Sequence, residues 1–301
     1  MVLFLPETAR SIVGNGSISP KRHFNQPSFH LLVPEHARTK PEASGAHDSP
    51  PPIHIAKPQS RKFPNPLASL KLLRFPETTI LLLAYGINYT VYCCLQASLS
   101  TLFVDIYRVS GLIAGLIYLP FGVACAISAF ATGKLLDIDY RKTAAECGIP
   151  VEKSRTSGTN LRDFPIEKAR LRTVVYSVGL SAALVVAYGW ILERGVHTSL
   201  AAPLVLQFAI GLTIQPVFTA LNTLLVDIHP DSPSTAQAAC NFVRCEMAAA
   251  CLAGLDALLR RVGPGWSFSL FGSTLFLVVV MLVMLRLRGM AWRQVRSRTS
   301  T

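Results

Sequence analysis

Charge is what this chain is short of. Asp, Glu, Lys and Arg make up 15% of its 301 residues, against about 25% in an ordinary soluble domain. That shortage argues against a water-soluble fold, whose surface has to be covered with such residues. The signatures of enzyme chemistry are also missing. There is no nucleophile elbow, no pair of histidines at metal spacing and no phosphate loop, since Gly14-Asn15-Gly16 is too short for a nucleotide fingerprint. Seven cysteines are present, but none forms a Cys-x-x-Cys pair or a Cys/His cluster with zinc spacing. Cys93, Cys94, Cys125, Cys240, Cys245 and Cys251 fall in or beside apolar segments and Cys147 in a polar one, so they read as reduced, small hydrophobic side chains. Catalytic residues, metals and cofactors are therefore expected to be absent. The start lacks a signal peptide's basic flank, and its apolar run is cut short by Pro6.

What the sequence has in abundance is apolar length. Half of the residues are hydrophobic and the mean hydropathy is +0.39. Six apolar segments stand out, at residues 78–104, 111–136, 173–192, 200–226, 238–259 and 266–287. Each has roughly the 20 residues that a helix needs to cross a hydrocarbon core about 30 Å thick. In lipid the backbone must satisfy its own hydrogen bonds, so these segments are helices and not strands. The fifth is the least apolar, because it carries Arg244, Glu246 and Asp256. The expected class is an all-α integral membrane protein, with a six-helix bundle at residues 77–288. Residues 1–76, rich in Pro, Ser and His, are expected to be cytosolic and largely disordered. An amphipathic piece at 67–73 would lie on the membrane surface. Residues 137–172 read as a cytosolic loop and 289–301 as a basic cytosolic tail.

Orientation comes from the distribution of basic residues. Ten Lys and Arg precede the first span, nine run from Lys134 to Arg172 across the second connection, and five run from Arg286 to Arg298 at the end. The alternate connections hold only Arg108, Arg194, Arg260 and Arg261. Both termini are accordingly expected in the cytosol, with the plasma membrane as the location and the vacuolar membrane as the alternative. The net charge of +12 is used up in this topology and forms no reader patch, so nucleic acid is excluded as a partner. Two glycosylation sequons lose their meaning in the same frame: Asn15 falls on the cytosolic side and Asn88 inside a span.

Polar residues inside spans are costly and tend to face a cavity or a partner. In the first span Asn88, Tyr92 and Gln96 recur at i, i+4 and i+8, one stripe on a helix. In the fourth, Gln207, Gly211 and Gln215 share a face beside Pro216, with Thr219 and Asn222 further along. Asn88, Tyr92, Gln96, Gln207, Gln215 and Asn222 are candidates to line a substrate cavity, with helix–helix hydrogen bonding as the competing role. Asp227 and Arg244 are expected to form a structural charge pair. Glu246 points away from Arg244 and is a candidate proton carrier, as a membrane carboxylate with a raised pKa would be. His197 and His229 read as interfacial.

The segment Gly133-Lys-Leu-Leu-Asp-Ile-Asp-Tyr-Arg-Lys142 resembles the Gly-x-Leu-x-Asp-Arg-x-x-Arg signature of the major facilitator superfamily. There Gly133 would permit close helix approach, Asp137 would sit at a helix end near cations, and Arg141 and Lys142 would anchor the cytosolic face. Ile138 stands where the family has arginine. Further segments resemble the fungal drug:proton antiporter branch, with its quinidine- and multidrug-resistance-like members. They start at Gly115, Asp163, Ala202, Asn222 and Ala238, and the opening Phe4-Leu-Pro-Glu-Thr-Ala-Arg resembles the stretch that comes after a sixth helix. The resemblance implies the C-terminal six-helix half of such a transporter, with the first six helices missing. It implies proton-coupled export of small amphipathic drugs or xenobiotics, with activity as this shorter chain in question. The implied partners are the lipid bilayer, a small amphipathic substrate, protons and a second six-helix half. A non-transport membrane interaction or regulatory protein, or a degenerate remnant, is the alternative reading.

Overall fold

The computed structural model describes residues 72–148, 164–195, 199–230 and 232–299, with side chains to 294. Residues 1–71 of the expected disordered leader, His197 and the centre of the 137–172 loop lie outside the described residues. After a 3-10 turn at Leu72–Arg74, the chain forms α1 (Pro76–Tyr107), α2 (Gly111–Leu116), α3 (Leu119–Glu146), α4 (Ile166–Leu171), α5 (Val174–Glu193), α6 (Ala201–Ile228), α7 (Pro233–Val262) and α8 (Pro264–Thr299). Among the described residues there is no strand.

Local chemistry sets the breaks. α1 ends at Arg108, whose left-handed backbone (φ 54°) lets its N–H close on the Val104 carbonyl. α2 and α3 are one span interrupted by Pro120, which cannot donate to the carbonyl of Leu116. Gly263 takes φ 81° between α7 and α8, and Pro264 opens α8 in the position where a missing N–H costs nothing.

Five stretches are long and apolar enough to cross a membrane: Pro76–Tyr107, Gly111–Glu146, Ile166–Glu193, Ala201–Ile228 and Pro264–Gln294. The chain is an all-α, multi-pass integral membrane protein. The fifth expected span, α7, is present as a 30-residue helix but falls short in composition. Arg244, Glu246 and Asp256 sit in its middle and second half, and Asn241, Cys245 and Glu246 lie on an exposed face. Two other segments carry helix where the sequence suggested only a loop and a tail. The helix continues to Glu146, so the beginning of the expected loop is helical. The expected tail is also helix: α8 runs to Thr299, about 54 Å at 1.5 Å per residue, well beyond a 30 Å core.

The helices pack as α5 on α8, α7 on α1 and α3 on α6, with α6 also against α5 and α8 against α1. Small residues set these approaches, as helix packing in lipid requires. A Cβ on Gly211 would come 2.8 Å from the Ala124 Cβ and 3.1 Å from the Phe121 carbonyl oxygen. A Cβ on Gly86 would meet the Met247 sulfur at 2.6 Å.

Pro216 lies inside α6 and leaves the Leu212 carbonyl without its usual helical donor. The Ser128 hydroxyl of α3 donates to that carbonyl at 2.9 Å. The proline-freed acceptor is thus satisfied across the α3–α6 contact, which is how a broken helical bond survives in a bilayer.

At one end of the bundle the charges gather around α4. Arg170 Nε is 3.0 Å from Asp227 Oδ2, and Arg293 Nε is 3.3 Å from Glu167 Oε1. Arg293 also donates to the Phe164 carbonyl at 2.7 Å. Glu146 accepts from Arg172 (2.6 Å) and Lys168 (3.0 Å). Buried His229 meets the Thr78 hydroxyl at 2.9 Å, so α1 begins at this same end.

Candidate functional site

Between α1, α3, α6 and α7 the bundle leaves a cavity of about 540 Å³. α1 contributes Tyr85, Tyr89, Tyr92 and Gln96, spaced i, i+4, i+7 and i+11 and therefore on one helical face. Tyr118, at the entrance to α3, and Phe121, Gly122 and Cys125 on α3 form the second wall. α6 adds Gln215 and Phe218, and α7 adds Arg244.

Phe218 is the hub. Its ring centroid lies 5.4 Å from Tyr85, 6.1 Å from Tyr89 and 5.8 Å from Tyr92, the last two edge to face. Tyr92 in turn lies 5.7 Å from Phe121. Aromatic contacts of this kind prefer tilted and edge-on geometry and hold their rings in place. The Tyr118 hydroxyl donates to the Gln96 carbonyl at 3.1 Å, fixing the rim of α3 against α1.

Among the described residues, Arg244 is the one cation in the lining, and no lining residue is a carboxylate. Its guanidinium carbon sits 4.7 Å from the Tyr89 ring centroid, a cation–π contact. Its Nε is buried without a hydrogen-bond partner. It lies 11 residues into α7, about 16 Å along the helix axis.

The expected site residues divide sharply. Tyr92, Gln96 and Gln215 line the cavity. Asn88 does not: it is fully buried, and both of its amide atoms lack a hydrogen-bond partner. One residue around the helix from Tyr89, it faces packing instead. Gln207 is likewise buried (3% exposed), with an unpartnered Oε1, and Asn222 is half-buried with an unpartnered Oδ1; neither lines the cavity.

The expected Asp227–Arg244 pair is not formed. α4 folds against α6 and brings Arg170 to Asp227, whereas Arg244 lies deep in α7 and faces the cavity. Glu246 is exposed and outside the lining. Of the signature residues, Gly133 has nothing within 4 Å of where its Cβ would stand, so it mediates no close approach within this bundle. Asp137, Arg141 and Lys142 are exposed on helix, not in a loop, and have no ion-pair partner among the described residues. The carboxylate buried there is Asp139, two residues on.

Tyr85, Tyr89, Tyr118, Phe121 and Phe218 are not among the expected site residues. The i, i+4, i+7, i+11 series ending at Gln96 is the available signal for the two α1 tyrosines. Nothing in the sequence ties Phe218 to it.

No protein-family model matches the chain. Individual relatives do. The MFS-type transporter phiD of a fungal species is 33% identical over 292 residues, covering 97% of this chain and 42% of that protein. The MFS-type transporter tstD of Talaromyces stipitatus is 31% identical over 294 residues, 97% of this chain and 51% of its own. Citrate exporter 1 of Aspergillus niger is 28% identical over 302 residues, 99% and 55% respectively. The chain spans about half the length of the curated relatives it matches. Those relatives are named for transport and not for catalysis, in line with the reading that the chain is no enzyme. Over nearly its whole length, then, this membrane protein is similar to fungal MFS-type transporters.

Proposed function

We propose that this chain forms the substrate-bearing, C-terminal six-helix half of a major facilitator transporter that moves small amphipathic molecules across a membrane. The observation that carries the reading is the cavity. Four helices meet around an open space walled by aromatic rings and edged by Gln96, Gln215 and Arg244. Ligand sites have this make-up, mostly apolar with a few placed polar groups, and they occur between helices of bundles. Transporter sites in particular gather where helices are interrupted, and Pro216 stands next to Gln215.

Drug export and proton coupling belong to the same proposal and rest on the family likeness. Glu246 stands outside the cavity wall, so as a proton carrier it would work beside the substrate and not against it. Glu246→Gln should then spare binding and remove any pH-driven uptake. The Lys and Arg bias supports cytosolic ends in a plasma membrane, with the vacuolar membrane as the alternative. A second six-helix half would close the open side of the cavity.

The test is uptake in sealed vesicles carrying the chain, alone and with a candidate N-terminal half supplied in trans. Phe218→Ala and Gln215→Ala should abolish or sharply reduce accumulation of a transported amphipathic compound at equal protein level. Accumulation unchanged in both variants would sink the cavity as the transport site.

A further inference from the structure

Resting on the cavity reading above, we infer the charge of the ligand: an amphipathic monoanion, with its anionic group on Arg244 and a flat apolar body against Phe218.

Arg244 differs in its company from two other half-buried arginines, Arg170 and Arg293. Arg170 and Arg293 each have a carboxylate within 3.3 Å. Arg244 has none within ion-pair distance among the described residues, and its ionisable neighbours are Tyr85, Tyr89, Cys240 and Cys245. Glu246 is two positions along α7, nearly opposite on the helix, and exposed. A guanidinium held part-way across a membrane without an anion is costly. The Tyr89 face and the neighbouring Tyr85 hydroxyl offset part of that cost but leave Nε unpartnered. A ligand carboxylate or similar oxyanion supplies what is missing, and arginine is the side chain best shaped to take it.

The walls set the rest of the molecule. Aromatic ring faces carry negative charge and favour apolar or cationic neighbours over a second anion. Among the described residues only one cation lines the cavity. The space therefore suits one negative charge on an apolar, preferably aromatic, body, which can slot among Tyr92, Phe121 and Phe218. A hydrophilic tricarboxylate has two charges left over and no rings to cover, so the site differs from what the citrate exporter's name requires of that relative.

The experiment is equilibrium binding to the full chain in zwitterionic-lipid nanodiscs, with empty nanodiscs as the baseline. The three probes share one shape: 2-naphthoate, 2-naphthylmethanol and 2-naphthylmethylammonium. Wild type should bind the naphthoate about tenfold or more tighter than the other two. Arg244→Gln should erase that preference, Arg244→Lys should keep part of it, and Arg260→Gln should leave it intact. Citrate should not compete. If the ammonium or the alcohol binds as tightly as the naphthoate, or Arg244→Gln binds naphthoate unchanged, the anion inference falls while the cavity reading stands. If citrate displaces the naphthoate, the restriction to one charge falls. Saturable binding of none of the three overturns both readings. Should Arg244→Gln fail to fold, the ranking of probes on wild type and on Arg244→Lys still decides.

Discussion

The α4 end of the bundle and the cavity treat arginine in opposite ways. At the α4 end, Arg170 faces Asp227, Arg293 faces Glu167, and Glu146 binds Arg172 and Lys168. Each of these four cations is neutralised by the chain itself, and the pairs tie α3, α4, α6 and α8 together. In the cavity, Arg244 faces rings and thiols. The same residue type serves as a structural clamp where a carboxylate is built in. It is open to a ligand where none is. The contrast teaches that, in a membrane bundle, the informative feature of a charge is whether its counter-charge is on the same chain.

Breaking the clamp should have the largest effect. Glu167 is 1% exposed and Arg293 12%, so Glu167→Ala leaves a half-buried guanidinium short of its carboxylate. A loss of about 3–5 kcal/mol is expected for such a broken pair, read as a drop in the thermal midpoint of the detergent-solubilised chain. Arg244→Gln should go the other way in that assay, with stability unchanged or slightly higher, because it removes a charge that the fold does not pair. A destabilisation by Arg244→Gln as large as that of Glu167→Ala would erase the distinction between the two regions.

The cavity wall itself is held by packing, and the next two changes probe that. Gly211→Val would drive its side chain into Ala124 and the Phe121 backbone. Overpacking of this kind costs about 1–3 kcal/mol and should also move Phe121 and weaken binding in the cavity. Ser128→Ala strands the Leu212 carbonyl that Pro216 leaves open, at about 1–3 kcal/mol for an unsatisfied buried acceptor. Ser128→Ala combined with Pro216→Ala should recover most of that loss, since the restored N–H returns the helical donor. Failure of the double variant to recover would mean that Ser128 acts through something other than that carbonyl. Smallest of all, Arg260→Ala breaks a fully surface-exposed pair with Asp256 and should leave the thermal midpoint unmoved.

The helices are legible because apolar length is enough to define a span, and five of the six segments need nothing more. α7 is harder for a physical reason. Its outward face sets Asn241, Glu246 and Asp256 among exposed apolar residues such as Phe242, Ala249 and Leu252, so charge interrupts its apolar length. The ends are hidden because charge suggests loop. Residues 137–146 and 289–299 carry charge and are still helix, since a helix leaving the bilayer has water on its outer side and no reason to stop. In the site, polarity alone finds Tyr92, Gln96 and Gln215. It cannot find the aromatic wall, because a ring in a span looks the same whether it faces lipid, core or cavity. Asn88 shows how sharp the geometry is. It shares the i, i+4 stripe with Tyr92, yet one step of about 100° from Tyr89 turns it into the packing. Sign alone matches Arg244 to Asp227, and the nearer Arg170 becomes visible only once α4 is seen to fold under α6.

The most direct measurement is an experimental structure of the chain in lipid with 6-bromo-2-naphthoate, using the anomalous signal of bromine. The bromine is expected among Tyr92, Phe121 and Phe218, with the carboxylate within hydrogen-bond distance of the Arg244 guanidinium. A bromine peak outside the cavity, or a protein carboxylate found on Arg244, would contradict an anion site built on that arginine.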